Sequence, residues 1–172
     1  MEKSDKEYEK MKYILYIIIL LYNTSLYAKD YIKIKYLDPE MVCMVQTIYF
    51  EARGESFVGR LGVGTVVMER VINKKYPNTI CGVVRQGKYW RGNPVKHRCS
   101  FSYWCDGKSE KMYDLNSFED AVEISKMIMT GVRFNPVSGA THYHAYYVRP
   151  IWSYQMRHIF TAGKHLFYKE KK

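Results

Sequence analysis

The run Tyr49-Phe50-Glu51-Ala52-Arg53-Gly54-Glu55 sets one carboxylate among apolar neighbours. Burial disfavours the charged form of a carboxyl, so Glu51 in such a setting holds its proton towards neutral pH. A proton retained in a cleft at that pH is what a general acid needs. Glu55, one turn on and past a glycine, should be better solvated. Two carboxyls in unlike surroundings can divide acid and stabiliser roles at a glycosidic bond. The same residues also fit a plain core helix that ends in an ion-pair cluster of Glu51, Arg53 and Glu55, and structural ion pairs outnumber catalytic acids.

The elements that must position Glu51 follow from periodicity. Val42, Val45, Ile48 and Tyr49 recur at helical steps and form one apolar stripe, with Asp38 as N-cap, Pro39 at the first helical position and Gly54 as the stop. Ser56 can cap a second helix running to about Asn73. Gly59, Gly62 and Gly64 inside it each cost roughly 1 kcal/mol relative to alanine, which points to another backbone passing close by, with the Glu51 helix as the expected neighbour. Thr79 can cap a short helix through Arg85. Residues Gln86 to Asn116 read as a long irregular section carrying Tyr89, Trp90, Phe101, Tyr103 and Trp104 among basic residues. It is either one wall of a sugar-binding groove or a disulfide-pinned surface loop without a ligand. A third helix is expected to open at Ser117-Phe118-Glu119-Asp120, burying Val122, Ile124, Ile128 and Met129 and closing at Thr130-Gly131. Strands are expected over Thr141 to Val148 and His165 to Tyr168.

The 172 residues suffice for one domain with a real core, and 47% apolar against 26% charged content is that of a globular chain. Residues 1–12 carry as many lysines as acids and residues 13–28 carry no charge, so the net charge of +10 belongs to the part after Ala28. Such a domain suits an anionic polymer or surface: nucleic acid, acidic lipid, or a bacterial wall. The apolar run from Tyr13 to Tyr22, followed by polar residues and Ala28, has the shape of an export signal or signal anchor over 1–28. A linker over 29–38 and a catalytic domain over 39–172 complete the expected organisation.

Cys43, Cys81, Cys99 and Cys105 behind an export signal imply two disulfides. The pairing is open, with a preference for bridges that clamp the Gln86 to Asp106 loop to the helices. The spacing of Cys99 and Cys105 is too wide for a usual zinc ligand pair. His142 and His144 fall on one face of a strand. With Glu51 they could hold a catalytic zinc for amidase chemistry, or they could line a polar cleft or bond to backbone; without a third ligand the second reading is preferred.

Beyond the Tyr49 to Glu55 run, several blocks follow in order: Gly62 to Val71, Pro77 to Val84, Cys99-Ser100-Phe101-Ser102, Cys105-Asp106-Gly107 and Gly139 to His144. Together they resemble the SleB/CwlJ-type cell-wall hydrolases, the spore-cortex-lytic enzyme family, over most of the chain from Met41 onward. The resemblance implies a mainly helical α+β single domain with a small β-sheet, lysozyme-like in the manner of goose-type lysozymes and lytic transglycosylases. It implies peptidoglycan as substrate, cut at the MurNAc–GlcNAc β-1,4 bond, with no cofactor or metal. Glu51 is then the catalytic residue, and Tyr49, Glu55, Phe101, Thr141, His142, Tyr143 and His144 bind substrate. Spore-cortex members tend to carry tyrosines where this chain has His142 and His144, so those two roles stay open. The expected protein is exported and monomeric, with an anionic wall or membrane surface as partner and no nucleic acid. A zinc-dependent N-acetylmuramoyl-L-alanine amidase and a basic nucleic-acid-binding protein are the alternatives from other classes.

Overall fold

The computed structural model describes residues 10–21 and 38–171. Clustering of contacts separates a unit ending at Asp38 from a second unit, Pro39–Lys172. In the first, residues 10–21 form a helix, α1. No described helix is long and apolar enough to cross a membrane. The expected cleavage point after Ala28 and nearly all of the expected linker lie outside the described residues.

The second unit begins with α2 (Pro39–Ala52) and α3 (Phe57–Ile72), joined by the exposed Arg53-Gly54 turn. The Ser56 side chain accepts from the Gly59 amide and so caps α3, and Thr79 caps the short α4 (Ile80–Val84) in the same way. Val45 and Ile48 of α2 are buried against Val63, Val66 and Val67 of α3 and Ile124 and Ile128 of α5 (Leu115–Met129), and these side chains make the helical core. Cys43 of α2 bonds to Cys81 of α4. The sheet β3-β5-β4 (His142–Ala145, His165–Glu170 and Met156–Ala162) packs its inner face on α3 through Phe167 and Ala162, which join Val63, Val66, Val137 and Ala140 in one apolar cluster.

Four expectations need correction. The section from Gln86 onward is not irregular throughout: β1 (Gly87–Trp90) and β2 (Asn93–Cys99) form a hairpin, and Ser102–Cys105 is a 3-10 helix. Its turn carries positive φ at Arg91 (48°) and Gly92 (80°), the primed-turn geometry that suits a hairpin. The cap of α5 is Asp114, whose carboxylate accepts from the Ser117 amide and hydroxyl, so the helix opens ahead of Ser117 and Met129 ends up 38% exposed. Neither disulfide clamps the long section to the helices, since the second one, Cys99–Cys105, closes within it. The first strand expected near the C-terminus stops at Ala145, and β4 appears where none was expected.

The glycines of α3 are met by more than α2. A Cβ at Gly62 would lie 2.7 Å from Phe167 of β5, and one at Gly64 would lie 2.9 Å from Ile128 of α5 and 3.4 Å from Ile48 of α2. Phe167 is fully buried and has nowhere to retreat. Gly62→Val is therefore expected to destabilise the fold by about 2–3 kcal/mol through overpacking. Gly54→Ala, where an added Cβ meets nothing within 4 Å, should be close to neutral. Urea unfolding of the pair checks this; equal midpoints would show that Phe167 can give way.

Candidate active site

Glu51 stands in the last turn of α2, and three elements converge on its carboxyl. Tyr143 of β3 donates its hydroxyl to Oε2 at 3.0 Å. The backbone amides of Ser102 and Tyr103, at the start of the 3-10 helix, donate to the same carboxyl. Arg70 of α3 contributes a positive charge nearby. Desolvation still outweighs these interactions and raises the pKa of Glu51 above the usual carboxylate value. The group thus resists ionisation in the resting protein, although donors for its anion are already in place.

Arg70 is 6% exposed, a rare setting for a guanidinium. Its Nε donates to the Thr141 carbonyl at 2.7 Å, and its guanidinium lies over the rings of Phe101 (5.1 Å) and Tyr76 (5.4 Å). Its Nη1 is buried without a protein partner. Beside Glu51, a cavity of about 260 Å³ is lined by Phe50, Arg53, Tyr103, Asp106 and Glu110 among others. Tyr103 forms one side of it, its ring stacked on Phe50 at 5.1 Å and its hydroxyl bonded to Thr47 at 2.9 Å.

The residues singled out from sequence divide sharply. Glu51 and Tyr143 meet directly. Thr141 contributes through its carbonyl, which holds Arg70, while Phe101 is buried with Arg70 over its ring. Tyr49 is 1% exposed, and its hydroxyl accepts from the Asp114 amide at 3.0 Å and from Arg53 at 3.4 Å. Glu55 turns to the β4–β5 hairpin, where Oε2 accepts from the Lys164 amide at 2.8 Å. The Arg53 contact to Tyr49 and the Glu55 contact to the hairpin replace the ion-pair cluster that the plain-helix reading implies.

Strand pleat decides the histidines. Tyr143 pairs with Phe167 on the inner face, while His142 pairs with Tyr168 and His144 with Leu166 on the outer face. His142 packs on Trp152 at 4.9 Å and bonds through Nδ1 to the Thr141 hydroxyl at 2.9 Å; burial, with Arg70 adding to it, pushes its pKa down to about 4. In His144, Nδ1 must donate to the Ala145 carbonyl, which leaves Nε2 to accept from the Tyr168 hydroxyl, both at 2.9 Å. Both ring nitrogens of His144 are therefore engaged. Among the described residues, no group of three His, Cys, Asp or Glu side chains is placed to hold a metal ion.

A family model described as Cell Wall Hydrolase matches residues 54–168, two thirds of the chain, beginning just past Glu51. The chain belongs to the cell wall hydrolase family. Solved relatives supply the part of the fold that holds Glu51. This hydrolase is similar to the catalytic domain of the germination-specific lytic transglycosylase SleB from Bacillus anthracis, with 26% identity and a TM-score of 0.60 over 78% of this chain and 97% of that one. It is also similar to the catalytic domain of Bacillus cereus SleB, with 25% identity and a TM-score of 0.57 over 76% of this chain and 89% of that one. The mainly helical α+β, lysozyme-like class expected from sequence is the class observed. The spore cortex-lytic enzyme of Halalkalibacterium halodurans is 37% identical over 49 residues, 28% of this chain but only 15% of that protein's length.

Arg70, the Ser102 and Tyr103 amides, and the cavity carboxylates Asp106 and Glu110 escaped the reading of the hydrolase's sequence. The only available signal for Arg70 was an arginine within an otherwise apolar helical run, and for the amides there was none.

Proposed function

We propose that this chain cleaves peptidoglycan at the β-1,4 bond between N-acetylmuramic acid and N-acetylglucosamine, as a lytic transglycosylase. The observation that carries the reading is a carboxyl kept protonated by burial while the donors for its anion are already in place. Glu51 gives its proton to the leaving glycosidic oxygen as the C1–O bond breaks. Tyr143, the two amides and Arg70 then stabilise the carboxylate that remains. That carboxylate takes the proton of the muramic acid C6 hydroxyl as its oxygen attacks C1, which closes a 1,6-anhydro ring and restores the acid. No water is consumed, so one essential carboxyl suffices. Family membership and the likeness to a catalytic domain named as a lytic transglycosylase support the reading.

Asp106 and Glu110 at the cavity favour a second outcome, simple hydrolysis, in which one of them activates water. Mass spectrometry of digested peptidoglycan separates the two. Anhydro ends, one water lighter than hydrolysed ends, are expected. Hydrolysed ends would assign a water-activating base to the cavity, and released stem peptides would indicate an amidase and sink the glycosidase reading. The net charge of +10 suits the anionic wall on which such an enzyme works. With an export signal over 1–28, that wall is reached outside the cytoplasm.

A further inference from the structure

The two disulfides stand in different relations to Glu51. Cys43–Cys81 joins α2 to α4, and both cysteines are buried, at 2% and 9% exposure. Cys99–Cys105 closes a loop of sequence separation 6, and Cys99 is partly exposed. Nearly every residue inside that small loop serves the site. Phe101 lies under Arg70. Ser102 and Tyr103 give their amides to Glu51. Tyr103 also walls the cavity and stacks on Phe50. Trp104 donates its indole N–H to the Tyr89 hydroxyl at 3.0 Å and carries Arg85 over its ring at 4.8 Å.

The amides are free for Glu51 because they open a 3-10 helix, whose first N–H groups have no partner within the helix. A helix of this kind is one short turn, and little inside it resists fraying. The cross-link ties its last residue, Cys105, back to the end of β2 at Cys99, which removes much of the freedom the loop would otherwise have.

We propose that the Cys99–Cys105 bridge is a positioning device for catalysis: it holds the Ser102 and Tyr103 amides on the Glu51 carboxyl, so that the site is complete only when the bridge is closed. This rests on Glu51 being the catalytic acid. Its consequence is redox control of the same site. A chain whose Cys99 and Cys105 are thiols is folded, because the helical core and the buried Cys43–Cys81 bridge remain, yet it cleaves poorly. Transfer to a disulfide donor, which accepts two electrons and two protons from the thiols, switches it on. A lytic site of this design stays weak in a reducing compartment and gains strength in an oxidising one.

The groups that face the Glu51 carboxyl are Arg70 from α3, Tyr143 from β3, and Ser102 and Tyr103 from the 3-10 helix. Only the last pair depends on the bridge. The amides favour the carboxylate, so their release should raise the pKa of Glu51 further, by about one unit. The test compares Cys99→Ser/Cys105→Ser with Cys43→Ser/Cys81→Ser in the full chain. The first pair should retain its far-UV circular dichroism, lose about ten- to a hundredfold in kcat, and move the alkaline limb of its pH–rate profile upward. The second should lose thermal stability and keep the position of that limb. Carbon-13 NMR of the Glu51 carboxyl reads the amide hold without reference to activity. An unchanged Glu51 titration in the first pair overturns the proposal whatever the rate does, whereas a shifted titration in a protein that needs no Glu51 for activity would overturn only the proposed chemistry. Should the serine pair not fold, wild-type protein mildly reduced with dithiothreitol, which becomes a cyclic disulfide as Cys99 and Cys105 become thiols, gives the same readings once alkylation has mapped the reduced pair. An unshifted titration there also overturns the proposal.

Discussion

Glu51→Gln should clear a cell-wall suspension at no more than about a hundredth of the parent rate, because general acid catalysis is worth roughly 10²–10⁴-fold. Glutamine keeps the shape and still accepts from Tyr143, so the loss isolates the proton. A rate above about a tenth of the parent's would remove Glu51 from the chemistry. The same variant makes a second, opposite prediction about stability. The folded pKa of Glu51 is raised above its unfolded value, so the folded state binds the extra proton between the two values. This group's contribution is therefore greatest below the unfolded pKa and is lost as pH rises through the folded one. The glutamine variant carries no such dependence. It should melt higher than the parent above the folded pKa and lose that advantage in acid, where the parent's carboxyl is protonated in both states. Paired thermal melts at acid and neutral pH read this directly, and they connect the reluctance of Glu51 to ionise with its fitness as an acid. The rate profile has the matching sign: activity falls at the alkaline side as Glu51 ionises.

The parts of this design legible in sequence were those set by local chemistry. Ser56 and Thr79 cap their helices as their types and positions suggest, and the apolar steps through Val45, Ile48 and Tyr49 do mark the buried face of α2. The pleat correctly put His142 and His144 on one face, yet nothing local tells which face meets α2. The tyrosine between them is the residue that reaches Glu51, and the histidines stand with Trp152 and Tyr168 behind it. The β1–β2 hairpin was hidden for a physical reason. All of β1 is exposed, so there is no alternation of apolar and polar residues to reveal it, and its turn uses Arg91 where Asn or Asp would have signalled a primed geometry. Glu55 could be seen as a carboxylate near Glu51 in sequence, but only the return of the β4–β5 hairpin to the start of α3 decides where its side chain points.

Arg70→Met should be the most damaging single change outside the acid itself. The guanidinium bonds a carbonyl 71 residues away in sequence and lies between two aromatic rings, contacts that exist only in the assembled fold. Methionine fills much of the volume but leaves the Thr141 carbonyl without its donor and strips the site of its buried positive charge. Breaking a buried charged arrangement from one side costs on the order of 3–5 kcal/mol. The lower end is expected here, because Glu51 can take up a proton instead of remaining as a lone anion. That escape has its own signature. Arg70 favours ionised Glu51, so its removal raises the Glu51 pKa further and moves the alkaline limb of the pH–rate profile upward, while the rate at the optimum falls because the carboxylate formed on proton transfer has lost a stabilising charge. Arg70→Lys tests whether charge alone is enough. An ammonium is a point charge that cannot bond the carbonyl and lie flat between Phe101 and Tyr76 at once, so rescue should be partial in pH profile and poor in stability. Urea unfolding and pH–rate profiles of the two variants, taken together, would sink this account if Arg70→Met left both the midpoint and the alkaline limb where the parent has them.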